Sequence, residues 1–110
     1  LQQPRSYTIR DRTIDKEKLS VRRGQQPIAL TPTEFNLLLV LASAPDRVFS
    51  RMQLVDKVQG GYGFEGYERT IDTHIRNLRK KLEPDPAHPT YILTVYGIGY
   101  KFDGGNHEES

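Results

Sequence analysis

Residues 69–82 read Arg-Thr-Ile-Asp-Thr-His-Ile-Arg-Asn-Leu-Arg-Lys-Lys-Leu, and this stretch decides how the rest of the chain is interpreted. Its apolar residues recur at intervals of four, three and four, which predicts one buried stripe on a helix: Ile71, Ile75, Leu78 and Leu82. At about 100° per residue, the opposite face carries Arg69, Thr73, Arg76 and Lys80, with Asn77 beside them. Such a helix can pack against a core and also place cations and short polar groups in the major groove of DNA. Taken alone, the charged face is equally consistent with a solvated surface.

Composition limits the classes of protein to consider. A chain of 110 residues predicts one domain, and a hydrophobic content of 35% predicts a small core shared between helices and a sheet. The absence of cysteine excludes a disulfide framework and a thiolate metal site, and it fits a reducing compartment such as the cytoplasm. No segment approaches the roughly 18 consecutive apolar residues of a membrane span, so no membrane partner is expected. The net charge of +2 is small, but its positive excess is concentrated between Arg69 and Lys81.

The first part of the chain predicts short strands. Residues 7–30 are rich in β-forming side chains, and strands are expected at 7–10, 13–15, 19–22 and 27–30. A turn is expected at Arg23-Gly24-Gln25, so the simplest arrangement is a small antiparallel sheet. The polar residues 1–6 and the residues 104–110 are expected to be a linker and a tail, which leaves 7–103 as the domain.

Two helices follow, and each begins with a capping box. The sequence Thr-Pro-Thr-Glu at 31–34 has the spacing at which a threonine cap and a glutamate satisfy each other's backbone N–H groups. This helix is expected to end at residues 43–45 and to be central and buried, because most of its circumference is apolar. Ser50 and Gln53 repeat the spacing, which predicts a second helix at about 51–58.

Residues 60–67, Gly-Gly-Tyr-Gly-Phe-Glu-Gly-Tyr, contain too much glycine for a helix and predict an exposed loop. Its aromatic side chains, Tyr62, Phe64 and Tyr67, are equally compatible with a partner surface and with packing back on the core. The sequence does not support a nucleotide-phosphate loop, because no buried strand is predicted before it and no Gly-Lys-Ser/Thr follows it.

The end of the chain predicts a β-hairpin. A proline-rich segment at 83–89 ends the basic helix, residues 91–96 alternate as a strand, 97–99 turn, and 100–102 return. The predicted fold is therefore an α+β winged helix-turn-helix, with an N-terminal antiparallel sheet, three helices and a C-terminal hairpin as the wing. In this arrangement the hairpin can reach an adjacent minor groove or the DNA backbone.

Four blocks of sequence resemble the C-terminal effector domain of OmpR/PhoB-type response regulators. They are Leu-Thr-Pro-Thr-Glu-Phe at 30–35 with Leu37 and Leu38, Val-Phe-Ser-Arg at 48–51 with Leu54, the basic stretch 69–82, and Thr-Val-Tyr-Gly-Ile-Gly-Tyr-Lys-Phe at 94–102. Their order and spacing cover nearly all of residues 7–102. The resemblance implies a bacterial transcription regulator that binds double-stranded DNA and is not an enzyme.

The resemblance also implies partners of a whole regulator. A receiver domain missing from this sequence would be phosphorylated on aspartate by a sensor histidine kinase, and it would hold the regulator as a homodimer. The dimer would bind direct-repeat half-sites about one helical turn apart. The loop at 60–67 matches the family's loop that contacts RNA polymerase in some members.

Residue by residue, the resemblance implies DNA contacts on two elements. On the basic helix, groove-facing positions are matched by Arg69, Thr73, Arg76, Asn77 and Lys80, and backbone-contacting positions by His74 and Arg79. On the hairpin, wing contacts are matched by Thr94 and Gly97. Tyr96 departs from the family, since many members have an arginine there that enters the minor groove. A tyrosine can hydrogen-bond a phosphate or pack on a sugar, so we expect weaker salt dependence and less preference for A·T pairs.

Two other classes of protein remain open. An enzyme would need a nucleophile with a base, or a metal cluster, whereas the histidines, His74, His88 and His107, have no ligand spacing. We therefore expect no catalytic residue, no metal site and no cofactor. A winged helix can also serve only for protein contact, with its basic face against an acidic partner. Binding to duplex DNA at increasing salt separates this alternative from DNA recognition.

Overall fold

The computed structural model describes residues 6–59 and 67–104 of the chain. The elements are β1 Ser6–Ile9, β2 Arg12–Asp15, β3 Ser20–Arg23, β4 Gln26–Ile28, α1 Pro32–Ser43, β5 Phe49–Ser50, α2 Arg51–Gln59, α3 Tyr67–Leu82, β6 Ile92–Val95 and β7 Gly99–Phe102. An N-terminal antiparallel sheet, three helices and a C-terminal hairpin are all present, which confirms the predicted winged helix-turn-helix. Within the described ranges, no helix has the length and apolar character to cross a membrane.

The N-terminal sheet has the strand order β1-β2-β3-β4, with each neighbouring pair antiparallel. One row of residues across the four strands packs into the core: Tyr7, Ile14, Val21 and Ile28. The two central members are buried and the two edge members are partly buried, as expected for a sheet with one face on the core. The predicted turn is confirmed at Gly24, whose φ of +58° lies in the left-handed region that favours glycine.

Helix α1 begins with the predicted capping box. The Thr31 hydroxyl accepts a hydrogen bond from the Glu34 N–H at 3.1 Å, and the Thr31 N–H donates to the Glu34 carboxylate at 3.1 Å. The helix ends at Ser43, within the predicted range. Its buried apolar side chains form much of the core: Phe35, Leu37, Leu38, Leu41 and Ala42.

Glu34 also joins the start of α1 to the end of α3. Its side chain is 3% exposed and accepts a hydrogen bond from the Lys81 ammonium at 2.6 Å. Burial raises the pKa of Glu34, but the hydrogen bonds from Lys81 and from the Thr31 N–H outweigh it, so the pKa lies below its ordinary value of 4.5. The carboxylate is therefore ionised at neutral pH and fixes one end of α3 to the helix that fills the core.

The second capping box is confirmed and has an additional role. Ser50 Oγ accepts from the Gln53 N–H at 3.1 Å, and the Ser50 N–H donates to the Gln53 side-chain oxygen at 2.9 Å. Helix α2 starts at Arg51 as predicted and ends at Gln59. Phe49 and Ser50 also form strand β5, so the hairpin belongs to a three-stranded sheet of order β5-β7-β6. The predicted two-stranded hairpin was therefore incomplete.

Gly99 in β7 allows strand β5 to lie close beside it. A Cβ atom at this position would lie 1.9 Å from the Phe49 carbonyl oxygen, so any side chain would force the strands apart. The pairing sets Phe49 opposite Tyr100 and Ser50 opposite Gly99, which holds the part of β7 next to the hairpin turn against the start of α2. A two-residue strand is too short to produce an alternating pattern, and this is why β5 was not predicted.

Helix α3 begins at Tyr67, two residues before the predicted start, and ends at Leu82 as predicted. Placing Tyr67 in the loop was wrong, because the run of helix-breaking glycines ends at Gly66 and no glycine or proline follows it before Pro84. The other aromatic residues of the predicted loop, Tyr62 and Phe64, lie outside the described residues. So do residues 1–5 and 105–110, which cover most of the predicted linker and tail.

Buried Glu83 fixes the segment between α3 and β6. Its carboxylate accepts hydrogen bonds from the backbone N–H groups of residues 90–92 at distances between 2.7 and 3.1 Å. The Tyr91 ring is flanked by two guanidinium groups, that of Arg10 in the turn after β1 at 4.6 Å and that of Arg12 in β2 at 4.9 Å from the ring centre. The sheet, the end of α3 and the start of the hairpin are therefore held together.

Candidate nucleic-acid interface

Helix α3 has the two faces that its sequence predicts. The apolar stripe is buried along its whole length: Ile71, Ile75, Leu78 and Leu82. On the opposite side Thr73, Arg76 and Lys80 are exposed and Asn77 is half-buried, and we call these four residues the outer face of α3. The backbone of Arg69 continues this face toward the start of the helix, but its side chain is not among those described.

The basic side chains of α3 differ in whether they are bonded to other parts of the domain. Of the three basic residues in the last turn of α3, Lys81 is paired with Glu34 and Arg79 is hydrogen-bonded to the hairpin. Within residues 6–59 and 67–104, Arg76 and Lys80 form no hydrogen bond or ion pair. Two uncommitted cations beside polar side chains can pair with phosphates and with the acceptor atoms of base edges.

Arg79 and Thr94, both predicted to contact DNA, contact each other. The Arg79 guanidinium donates to the Ile92 carbonyl oxygen at 3.1 and 2.8 Å and to the Thr94 hydroxyl at 2.9 Å. It also lies 5.5 Å from the centre of the Tyr100 ring. These bonds use Nε and Nη2, so Nη1 retains N–H groups for a further acceptor. In the structure Arg79 attaches the hairpin to α3, and its contact with DNA stays a prediction.

Two of the three histidines lie among the described residues. His74 is half-buried on α3, and its contact with the DNA backbone stays a prediction. His88 lies in the segment after α3, where its Nδ1 is 3.0 Å from a carboxylate oxygen of Asp85. Within the part of the chain that the structure describes, no group of three or more histidine and acidic side chains is arranged to hold a metal ion.

The turn of the hairpin projects an aromatic side chain. Tyr96 is 90% exposed, and Ile98 beside it is also exposed. The Ile98 N–H donates to the Val95 carbonyl oxygen at 3.0 Å and closes the turn, and Gly97 has a φ of +81°, in the left-handed region that favours glycine. The predicted wing residues Thr94, Tyr96 and Gly97 therefore lie at the exposed end of the hairpin, and contact by Tyr96 there would use a ring and a hydroxyl instead of a charge.

Asp72, Arg51 and Tyr100 form a cluster that the sequence did not predict. The Tyr100 hydroxyl donates to Asp72 Oδ1 at 2.7 Å, and Arg51 Nε donates to the same oxygen at 3.0 Å. By sequence alone, Asp72 is only the single acid within the basic stretch. Its position seven residues before Arg79, on the same flank of the helix, is the one local signal of a shared role.

The electrostatics of this cluster keep the Tyr100 hydroxyl protonated. Burial raises the pKa of Tyr100, and the hydrogen bond to the Asp72 carboxylate raises it further, while the cations of Arg79 and Arg51 act in the opposite direction. The hydroxyl is therefore a hydrogen-bond donor throughout the neutral range. The cluster joins α2, α3 and β7 through hydrogen bonds to one carboxylate oxygen.

Several known proteins are similar to this chain in sequence. The family described as "Transcriptional regulatory protein, C terminal" matches residues 24–102. The transcriptional regulatory protein YclJ of Bacillus subtilis is 48% identical over 92 residues, which is 83% of this chain and 39% of YclJ. The DNA-binding response regulator MtrA of Mycobacterium tuberculosis is 44% identical over 94 residues, which is 86% of this chain and 41% of MtrA. The chain thus spans about two fifths of the length of these relatives.

Solved structures of DNA-binding domains and response regulators are also similar to this chain. The RstA DNA-binding domain of Klebsiella pneumoniae, crystallised in complex with the RstA box, matches with a TM-score of 0.82 at 30% identity, covering 92% of this chain and 99% of that chain. The response regulator DrrB of Thermotoga maritima, an OmpR/PhoB homologue, matches with a TM-score of 0.81 at 34% identity, covering 93% of this chain and 46% of that chain. The chain therefore belongs to the family of C-terminal domains of transcriptional regulatory proteins, of the OmpR/PhoB response-regulator type.

Proposed function

We propose that this domain binds double-stranded DNA sequence-specifically and serves as the transcription-regulating output domain of a two-component response regulator. The observation that carries the proposal is the division of α3: its apolar stripe is buried, while Arg76 and Lys80 on its outer face have no partner among residues 6–59 and 67–104. The relatives named above support it, since MtrA is described as a DNA-binding response regulator and RstA was crystallised with its DNA box.

The outer face of α3 reads bases and phosphates in the major groove. Arginine pairs in a bidentate manner with guanine O6 and N7, and asparagine pairs with adenine N6 and N7, so Arg76 and Asn77 are the base-reading residues. Lys80, near the end of the helix, and Arg69, near its start, contact phosphates on the two sides of the groove. His74 adds a backbone contact beside them.

The wing contacts the DNA next to the helix. Thr94, Tyr96 and the Gly97 backbone lie at the exposed end of the hairpin and approach the minor groove or its phosphates. Because Tyr96 has no charge, its contact adds affinity without releasing a counterion, and the salt dependence of binding comes mainly from α3.

The properties of the whole regulator are also part of the proposal, since this chain corresponds to about two fifths of its relatives. A receiver domain, phosphorylated by a sensor histidine kinase in the cytoplasm, forms the homodimer and sets two domains on direct-repeat half-sites. The segment before α3 meets RNA polymerase through Tyr62 and Phe64, with Tyr67 at the start of α3. Replacing Tyr62 and Phe64 with alanine in the full regulator is then expected to spare DNA affinity and to reduce transcription.

Selection of bound duplexes from a random pool tests the DNA-binding proposal. The domain should enrich one half-site, and the logarithm of its affinity for that site should fall linearly with the logarithm of the salt concentration, by about 0.9 per phosphate contact. Enrichment of no sequence, together with binding that does not respond to salt, would refute DNA recognition and leave protein contact as the alternative role of the winged helix.

A further inference from the structure

Tyr100 lies where the hairpin meets the helix that reads DNA. It is in the middle of the three-stranded sheet, paired with Phe49 on one side and with Thr94 on the other. Its ring is largely buried and its hydroxyl points to α3, where it donates to Asp72 at 2.7 Å. The residue therefore spans the gap between the wing and the recognition helix.

Asp72 connects this hydrogen bond to a third element. The same carboxylate oxygen accepts from Arg51 Nε at 3.0 Å, and Arg51 is the first residue of α2. We call Arg51, Asp72 and Tyr100 the Asp72 joint. The Asp72 side chain is 39% exposed, so the joint lies at the rim of the core. There it fixes the relative orientation of α2, α3 and β7 and does not bury apolar area.

Arg79 attaches the other strand of the hairpin to the same helix. Its guanidinium holds the Ile92 carbonyl oxygen and the Thr94 hydroxyl in β6, whereas the Asp72 joint holds β7. Asp72 and Arg79 are seven residues apart, about two helical turns on one flank of α3. Two attachment points on two neighbouring strands restrict both the distance and the tilt of the hairpin relative to the helix.

We propose that Tyr100 and Asp72 are positioning residues that hold the wing at one angle to α3, so that the wing tip and the outer face engage DNA at a fixed spacing. This inference rests on the proposed DNA binding. A wing whose tip carries a tyrosine needs such positioning more than a charged wing does, because contact by a ring and a hydroxyl decays with distance faster than the attraction of a charge. Loss of the joint should therefore weaken the contribution of Tyr96 to binding.

Tyr100→Phe tests the inference, because it removes the hydroxyl and keeps the buried ring. Tyr91→Phe is the matched control: it removes a tyrosine hydroxyl that donates to another aspartate, Asp11, at 3.2 Å, in the N-terminal part of the chain and not on α3. We expect Tyr100→Phe to lower affinity for the selected duplex by about threefold to tenfold, as for one lost coupling between contacting groups, and Tyr91→Phe to leave it within about twofold. Thermal unfolding of both variants provides the folding control.

A double-mutant cycle with Tyr96→Ala separates positioning from other roles. If the joint acts through the wing, Tyr100→Phe should cost little further affinity once the Tyr96 side chain has been removed. Equal losses in both backgrounds would mean that the hydroxyl acts on DNA directly or on overall stability, and either outcome overturns the inference. An unchanged affinity for Tyr100→Phe also overturns it, while leaving the DNA-binding proposal intact. Failure of the wild-type domain to bind any duplex would refute the proposed function itself.

Discussion

Two neighbouring residues on α3 provide the sharpest prediction, because Ile75 belongs to the buried stripe whereas Arg76 is exposed on the outer face. Ile75 is 1% exposed, so Ile75→Ala removes carbon atoms that are entirely out of water. Truncation at such a position lowers the free energy of unfolding by about 2–5 kcal/mol. In a domain of this size each kcal/mol corresponds to about 4–8 °C in Tm, so the Tm should fall by about 8 °C or more.

Arg76→Ala should show the reverse behaviour. Its side chain is exposed and has no partner among the described residues, so the free energy of unfolding should change by no more than about 0.5 kcal/mol. Its affinity for the selected half-site should fall by about 1–3 kcal/mol, which is a factor of about 5 to 150 in Kd. The preference at one or two base positions should weaken as well.

Circular dichroism melting and fluorescence anisotropy with labelled duplexes measure the two effects on the same samples. Affinities are compared at a temperature where all variants are folded, so that the loss of stability in Ile75→Ala does not appear as a loss of binding. A retained Tm in Ile75→Ala would mean that the assignment of the two faces of α3 is rotated. Equal weakening on selected and random duplexes in Arg76→Ala would make Arg76 a phosphate contact instead of a base contact.

The remaining predictions concern charge. Lys80→Ala should weaken binding to all duplexes alike and reduce the salt slope by about one, because a phosphate contact carries no sequence information; a change of preferred sequence would refute this role. Tyr96→Arg should raise affinity at low salt and steepen the slope by about one, whereas an unchanged slope would place the wing tip away from DNA. The pKa of Glu34 is held below its ordinary value of 4.5 in the folded protein, so its contribution to stability is present above that pH and is lost as the pH falls through the folded pKa. Denaturant unfolding between about pH 6 and 3 should therefore show the gap between wild type and Glu34→Gln narrowing toward acid, and a constant gap would contradict it.

Local patterns explain why much of the fold was predictable. Each capping box joins residues three apart, Thr31 with Glu34 and Ser50 with Gln53, so its geometry depends on only four consecutive residues. The apolar stripe of α3 repeats over about three turns, from Ile71 to Leu82, so the helical period alone predicts both the buried face and the outer face. The predicted residues of the outer face are where the helical phase placed them.

Nonlocal contacts explain what the sequence did not predict. The bond between Asp72 and Tyr100 joins residues 28 apart, and that between Glu34 and Lys81 joins residues 47 apart, with no periodicity to link them. Arg79 shows the consequence for the candidate site. Its helical position suggested a DNA contact, whereas the guanidinium is bonded to the hairpin, a choice that depends on where the hairpin packs.

Removing single acceptor atoms from the DNA tests most directly whether α3 lies in the major groove. Replacement of each purine in the selected half-site by its 7-deaza analogue deletes the N7 acceptor of the major groove and preserves base pairing. We expect the wild-type domain to lose affinity at one or more defined purines, and the Arg76→Ala variant to become insensitive at one of them. If no 7-deaza substitution changed wild-type affinity while 3-deaza analogues in the minor groove did, the assignment of α3 as the recognition helix would be contradicted.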